Sequence, residues 1–167
     1  PITERETKKP VNPYGLTKHV VEELLEWYHA SHDWRYVSLR YFNAAGAAYG
    51  IGEDHHPETH LIPLIFRAAL RGPPVRVFGT EYPTPDGTCI RDYIHVLDLA
   101  DAHIAAVESI FEGKSGVFNL GTGLGYSVKE VVELACSITG RHIPVMLDER
   151  RPGDPPKLIA SAKKSEQ

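Results

Sequence analysis

The stretch from Gly116 to Leu147 constrains the fold of this chain more than any other. Gly116 to Leu120 has strand character and runs into Gly121-Thr122-Gly123-Leu124-Gly125. Ser127 and Glu130 then stand at capping-box spacing, with Tyr126 and Val131 placed to form a hydrophobic staple. In a capping box the serine hydroxyl accepts from the amide three residues on, and the glutamate carboxylate accepts from the serine amide, so the helix start is set to the residue. Gly140 suits the left-handed backbone that ends a helix, and Ile143 to Leu147 reads as the next strand. Strand, helix and strand in this order favour parallel pairing, with the helix laid over the sheet.

The same alternation runs through the rest of the chain. Asn12 caps a helix that opens on Pro13, the favoured first position for proline. Val20, Val21, Leu24, Leu25 and Tyr28 keep helical spacing to about Ser31, and the face of Val20, Leu24 and Tyr28 is expected to pack. Tyr36 to Tyr41 reads as a buried strand, Asn43 to Glu58 as a long functional loop, and Leu61 to Leu70 as a helix closed by Gly72-Pro73-Pro74. Val75 to Phe78 and Tyr93 to Val96 read as strands, with an Asp86-Gly87 turn between them. Asp98 is the expected N-cap of a helix running through Phe111. The class is α/β with parallel pairing.

Composition narrows the function classes. The chain has 167 residues, 42% of them hydrophobic, which fits one large domain or parts of two. A net charge of −4 provides no basic field for nucleic acid. Cys89 and Cys136 match no zinc or disulfide spacing, which points to a reducing, cytoplasmic location. No apolar run approaches the ~20 residues of a membrane span. The chain opens at Pro1 in a polar stretch and stops in Ser161 to Gln167, which reads as a helix just starting, so a fragment at both ends is expected.

The segment Asn12-Pro13-Tyr14-Gly15-Leu16-Thr17-Lys18 carries the sharpest chemistry. Residues at i and i+4 share a helix face, so the Lys18 ammonium can sit beside the Tyr14 phenol. A neighbouring cation favours the phenolate and lowers the tyrosine pKa from its usual ~10, which makes a base usable near neutral pH. The spacing alone arises by chance about as often as not in a chain with eight tyrosines. The turn Gly121 to Gly125 resembles a dinucleotide-binding loop, but that loop needs a small residue where Tyr126 stands, and Asp148 lies too far on for its acidic partner. A tight strand-to-helix turn is the better reading. Arg91 beside Asp92 reads as a ligand-binding arginine ahead of a local ion pair, and Arg151 as a phosphate-binding one. His55, His56 and His60 sit in and beside the long loop and read as loop residues, with no metal site expected.

Four segments together resemble a known family. They are Tyr14-Gly15-Leu16-Thr17-Lys18, Arg40-Tyr41-Phe42-Asn43-Ala44-Ala45-Gly46, Asp86-Gly87-Thr88-Cys89-Ile90-Arg91-Asp92-Tyr93-Ile94-His95-Val96 and Arg151-Pro152-Gly153-Asp154. On these the chain resembles the nucleotide-sugar epimerases of the extended short-chain dehydrogenase/reductase family, the UDP-glucose 4-epimerases most closely. The first segment is shared across the superfamily; the middle two are more specific.

The resemblance implies the last part of a Rossmann-type parallel sheet joined to a smaller substrate-binding domain. Residues 1–45 would end the NAD-binding domain, with Rossmann-type segments recurring around 88–112, and 46–167 would form most of the UDP-sugar region. It implies an isomerase of galactose metabolism that interconverts UDP-glucose and UDP-galactose through a 4-keto sugar, with transient hydride transfer to NAD. By position Tyr14 would be the base, and Lys18 would lower its pKa and hold the nicotinamide ribose. Tyr41 and Phe42 would lie along the nicotinamide. Asn43, with His60 and Leu61 where many members have asparagine and leucine, would hold the sugar nucleotide. Arg91 and Arg151 would meet the diphosphate and Asp154 the uridine ribose, with Phe78 and neighbours such as Arg76 flanking the uracil. Leu158 would bound the sugar pocket. The helix after Tyr14 would contribute to a homodimer. The family's glycine-rich cofactor loop and catalytic serine or threonine precede the tyrosine and are not in this sequence, so the chain as given is expected neither to hold NAD nor to epimerise alone. The alternatives are a UDP-N-acetylhexosamine or UDP-pentose 4-epimerase, or a non-catalytic module that binds UDP-sugar or dimerises.

Overall fold

The computed structural model describes residues 1–166. In chain order the elements are α1 (Pro13–His32), β1 (Val37–Tyr41), β2 (Asn43–Ala45), α2 (Leu61–Ala69), β3 (Val75–Phe78), β4 (Ile90–Arg91), β5 (Tyr93–His95), α3 (Val96–Phe111), β6 (Gly116–Leu120), β7 (Tyr126–Ser127), α4 (Val128–Thr139), β8 (Val145–Asp148) and β9 (Lys157–Leu158). The strand–helix alternation read from the sequence is present throughout.

Local chemistry sets the helix ends. The Asn12 side chain accepts from Gly15 N at 2.8 Å and Pro13 takes the first turn of α1. The Ser127–Glu130 capping box opens α4, and Gly140, at φ 64°, closes it. Asp98 does not cap α3. Strand β5 runs directly into the helix, so His95 is the cap and its ring Nδ1 accepts from Leu97 N at 3.2 Å. The last predicted strand starts at Val145 instead of Ile143. Ile143 is spent on the core, and the Pro144 carbonyl accepts from Val75 N at 2.9 Å.

The pairings are mostly parallel. β1 lies beside β6 from Val37↔Gly116 to Tyr41↔Leu120, and β3 beside β8 from Val75↔Val145 to Phe78↔Asp148. The expected loop after residue 43 begins with β2, which pairs with β5 from Asn43↔Tyr93. The chain therefore changes partner at Phe42: its amide still donates to Leu120 O (3.0 Å), while that of Asn43 donates to Asp92 O (2.9 Å). A change of strand partner of this kind opens a crevice at the carboxyl ends of parallel strands. β4 pairs antiparallel with β7 and parallel with β9.

Two apolar clusters hold these layers. Ile65, Ala68, Ala69, Val75, Val132, Ala135 and Ile143 join α2, α4 and β3, and Ile94, Leu99 and Leu120 join α3 to the β5 and β6 strands. α1 contributes to neither. Its one buried residue is Glu22, and Val20, Leu24, Trp27 and Tyr28 are exposed. The expected packing face of this helix is thus uncovered, because the strand beneath it meets α1 through polar groups. At the other end, Ser161 to Glu166 makes a single turn, with the amides of Ser165 and Glu166 both returning to Ala162 O. The expected helix start there is no more than this turn, and Gln167 lies outside the described residues.

Candidate active site

A cavity of about 1200 Å³ opens where the chain changes partner at Phe42. It gathers most of the residues expected from sequence. Phe42 and Asn43 come from the β1–β2 junction, and His60 and Leu61 from the start of α2. Arg76 and Phe78 come from β3, Arg91 from β4, and Arg151 and Asp154 from the loop before β9. Residues as far apart in sequence as Phe42 and Asp154 therefore face one space.

Three guanidinium groups line it, those of Arg76, Arg91 and Arg151. Arg91 is nearly buried; its Nη2 donates to Asp154 Oδ1 at 3.0 Å, and its Nη1 donates to the carbonyls of Ile90 and Pro155 at 2.9 and 3.0 Å. Arg151 lies 3.7 Å from the centroid of the Phe78 ring, and Arg76 lies 5.2 Å from the same ring while pairing with Asp148. A planar guanidinium both stacks on a ring and forks onto phosphate oxygens, so this set suits a ligand with a flat base and a diphosphate.

The ion pair considered for Arg91 and Asp92 does not form; Arg91 pairs with Asp154. Asp92 is 0% exposed and turns to the opposite side. Its carboxylate accepts from Thr122 N and Oγ1 at 2.8 Å each and from Gly123 N and Ala160 N at 3.0 Å each. Two amides of the glycine-rich turn, those of Thr122 and Gly123, are thus already bound by a buried carboxylate where a phosphate would need them. A Cβ on Gly121 would stand 2.6 Å from both Asp92 Oδ2 and Ala160 Cβ, so glycine is required there by this close approach. The tight-turn reading of that segment holds.

Four expected residues lie away from the cavity. The Tyr41 hydroxyl pairs with His103 Nε2 at 2.6 Å, because alternation along β1 turns it toward α3. Leu158 is paired opposite Arg91 in β9, and the cavity lining stops at Arg91 and Asp154. Tyr14 and Lys18 stand exposed on the first turn of α1, with the Lys18 ammonium 5.2 Å from the Tyr14 ring centroid. Lys18 borders a separate hollow of about 260 Å³ together with Lys8, His19, Glu22 and Arg40. The i, i+4 neighbourhood read from sequence is present, but Tyr14 itself does not line the main cavity.

Other lining residues were not singled out from sequence. Burial pushes the Cys89 thiol up, which keeps it protonated and unsuited to nucleophilic work, and burial likewise raises Tyr93. The loop residues Glu53 and Glu58 also face the cavity. Hydrogen bonds from the backbone of His60 and Thr59 hold the Glu58 carboxyl below the usual carboxylate range, outweighing its desolvation. A loop role for the histidines is incomplete as a description. Donor atoms of Glu53, His55, Glu58 and His60 all lie within 4.8 Å of one another. The spacing Glu-x-His-x-x-Glu-x-His was the available signal.

Known proteins place this geometry in context. The family described as NAD dependent epimerase/dehydratase matches residues 1–121. A UDP-glucose 4-epimerase of Halalkalibacterium halodurans is 51% identical over 99% of this chain and 51% of its own length. A crystal structure of UDP-glucose 4-epimerase from Brucella ovis in complex with NAD is 50% identical, with a TM-score of 0.92 over 99% of this chain and 52% of that one. One from Stenotrophomonas maltophila, with bound NAD and formylated UDP-arabinopyranose, is 40% identical with a TM-score of 0.93, over 99% of this chain and 51% of that one. The chain spans about half the length of the curated relatives it matches.

Proposed function

This chain belongs to the NAD dependent epimerase/dehydratase family, and from that premise we propose that it serves a UDP-glucose 4-epimerase, interconverting UDP-glucose and UDP-galactose. The observation that carries the reading is the convergence of Asn43, Phe78, Arg91, Arg151 and Asp154, from separate motifs, on one cavity with several guanidinium groups.

In this proposal Arg91 and Arg151 bind the diphosphate, Asp154 the uridine ribose, and Phe78, with Arg76 beside it, the uracil. Arg151 already covers the Phe78 ring, so base stacking and diphosphate binding would both draw on its movement off that ring. Asp154 holds Arg91 in place and so spares the ligand part of the ordering entropy. Asn43, His60 and Leu61 hold the sugar. A cavity of about 1200 Å³ exceeds the usual ~300–1,000 Å³ of small-molecule sites and leaves room for a 4-keto sugar to present its other face.

Tyr14, which stands outside the cavity lining, would turn toward the sugar and take the proton of its 4-hydroxyl, with Lys18 beside it on the same helix face. NAD, when bound, supplies the acceptor and donor for the C4 hydride. Tyr14, Lys18 and Phe42 are this chain's contribution to holding it. The glycine-rich turn is not part of that contribution, since Asp92 occupies the amides of Thr122 and Gly123. The exposed apolar residues of α1 and α3, among them Leu24, Trp27, Val107 and Phe111, suit a homodimer interface.

The test is turnover of UDP-galactose by the protein carrying this sequence with NAD, read as UDP-glucose formed. Tyr14→Phe is expected to lower kcat by about 10²–10⁴. Parallel assays with UDP-N-acetylhexosamines and UDP-pentoses decide sugar preference. Binding of UDP without turnover on any of these sugars would replace the enzyme reading with a binding module.

A further inference from the structure

The loop that borders the cavity carries Glu53, His55, Glu58 and His60 at the spacing Glu-x-His-x-x-Glu-x-His. Each offers a donor atom within 4.8 Å of the other three. The Nδ1 atoms of His55 and His60 each lie 3.7 Å from Glu58 Oε1. A tetrahedral ion bound at ~2.0–2.1 Å spaces its ligands roughly 3.4 Å apart, so these two edges need to close by only a few tenths of an ångström. The fourth donor, Glu53, already touches His60 Nδ1.

Three further features separate this cluster from a set of incidental surface contacts. The Glu58 side chain is only 4% exposed, and the amides of Thr59 and His60 both donate to its Oε1 at 2.7 Å. A ligand carboxylate is thus oriented by backbone donors before any ion arrives, as outer-shell hydrogen bonds do in metal sites. The His55 and His60 rings stack at 5.1 Å and 17°, which fixes one imidazole against the other. Among the described residues, neither glutamate pairs with a lysine or arginine. Two carboxylates and two imidazoles then share a small volume without a permanent cation, which a divalent ion would neutralise.

We propose that Glu53, His55, Glu58 and His60 bind a divalent transition-metal ion of the zinc class. Two imidazoles select zinc, cobalt or nickel over magnesium and calcium, which prefer oxygen ligands. Glu53, Glu58 and His60 also line the main cavity, so the ion ties the loop down along the cavity wall. The proposal does not depend on which sugar nucleotide the cavity accepts.

The experiment is a Co²⁺ titration of the purified chain after dialysis against a chelator, read by the visible absorption of tetrahedral Co²⁺ and by competition with Zn²⁺. The expected result is about one Co²⁺ per chain, displaced by Zn²⁺ and not by excess Mg²⁺. His55→Gln and His60→Gln should each weaken binding by at least about 10-fold. His142→Gln, on the exposed segment after α4, should leave it unchanged. Circular dichroism checks that each variant folds, and if His60→Gln does not, His55→Gln decides. Absence of Co²⁺ and Zn²⁺ binding overturns the proposal. So does binding that survives both substitutions, since the ion then sits on other histidines.

Discussion

Replacing Glu22 with glutamine should unfasten α1 from the strand beneath it. Glu22 is 8% exposed and accepts from Arg40 Nε and Nη2 at 2.6 Å each, with the Lys8 ammonium at 3.0 Å and Ser38 Oγ at 3.3 Å. Burial by itself would raise this carboxyl. Hydrogen bonds from Arg40 and Lys8, and their charges, outweigh it and carry the pKa from the ordinary 4.5 down to about 2. Hydrogen bonding to Glu22 raises Arg40 in turn. A carboxyl held that low in the folded chain contributes about 3 kcal/mol at neutral pH. That contribution is complete above the unfolded value of 4.5 and is lost as pH falls through about 2. Removing one partner of a buried pair also leaves the other charge uncompensated, and such losses run at ~3–5 kcal/mol.

Urea denaturation followed by circular dichroism should therefore find Glu22→Gln less stable by about 3 kcal/mol at pH 7, with the gap shrinking below about 1 kcal/mol at pH 2. A variant within about 0.5 kcal/mol of the parent at pH 7 would refute the argument. So would a gap that acid leaves unchanged, because the loss would then come from shape and not from charge. The stake is functional as well. α1 carries Tyr14 and Lys18, and the strand carrying Arg40 leads into Phe42, so this pair sets the helix against the cavity.

Other expectations follow from the same geometry. Asp92→Asn removes a charged acceptor from three backbone amides and a hydroxyl and sets an NH₂ group among donors, so a loss of about 3–5 kcal/mol is expected by urea denaturation. A loss below about 1 kcal/mol would show that the glycine-rich turn holds itself. Sedimentation should find the parent chain dimeric and Leu24→Glu with Val107→Glu monomeric, both sites being exposed on apolar helix faces; a monomeric parent at high concentration would rule the interface out. Arg91→Met should weaken UDP binding by calorimetry by about 10-fold or more, as loss of a charge-assisted contact does, and unchanged affinity would remove Arg91 from the diphosphate site.

Much of this protein was legible in the sequence where a signal depends on a few neighbouring residues. Asn12 with Pro13, Ser127 with Glu130, and Gly140 set helix ends through bonds made within a turn, so the helices appear close to where their caps place them. The motif segments also contain part of the cavity lining, among it Phe42, Asn43, Arg91, Arg151 and Asp154, while the loop after β2, α2 and β3 supply most of the rest. Other features were decided by partners far away in the chain. Asp92 grips a turn thirty residues on, which converts a loop that resembles a phosphate cradle into a closed structural joint. Tyr41 was lost to the cavity because strand alternation aimed it at His103, while Phe42, one residue on, sits where the chain changes strand partner and does line the cavity. The apolar face of α1 remained uncovered because its contact with the sheet is made by Glu22, Arg40 and Lys8. Glu53, His55, Glu58 and His60 differ in that they lie within eight residues of one another, and the path of the loop itself brings their donor atoms together. Caps and periodicity are local and add residue by residue, whereas which face is covered and which donors meet depends on strand pairing across the whole chain, and that was settled only by the tertiary structure.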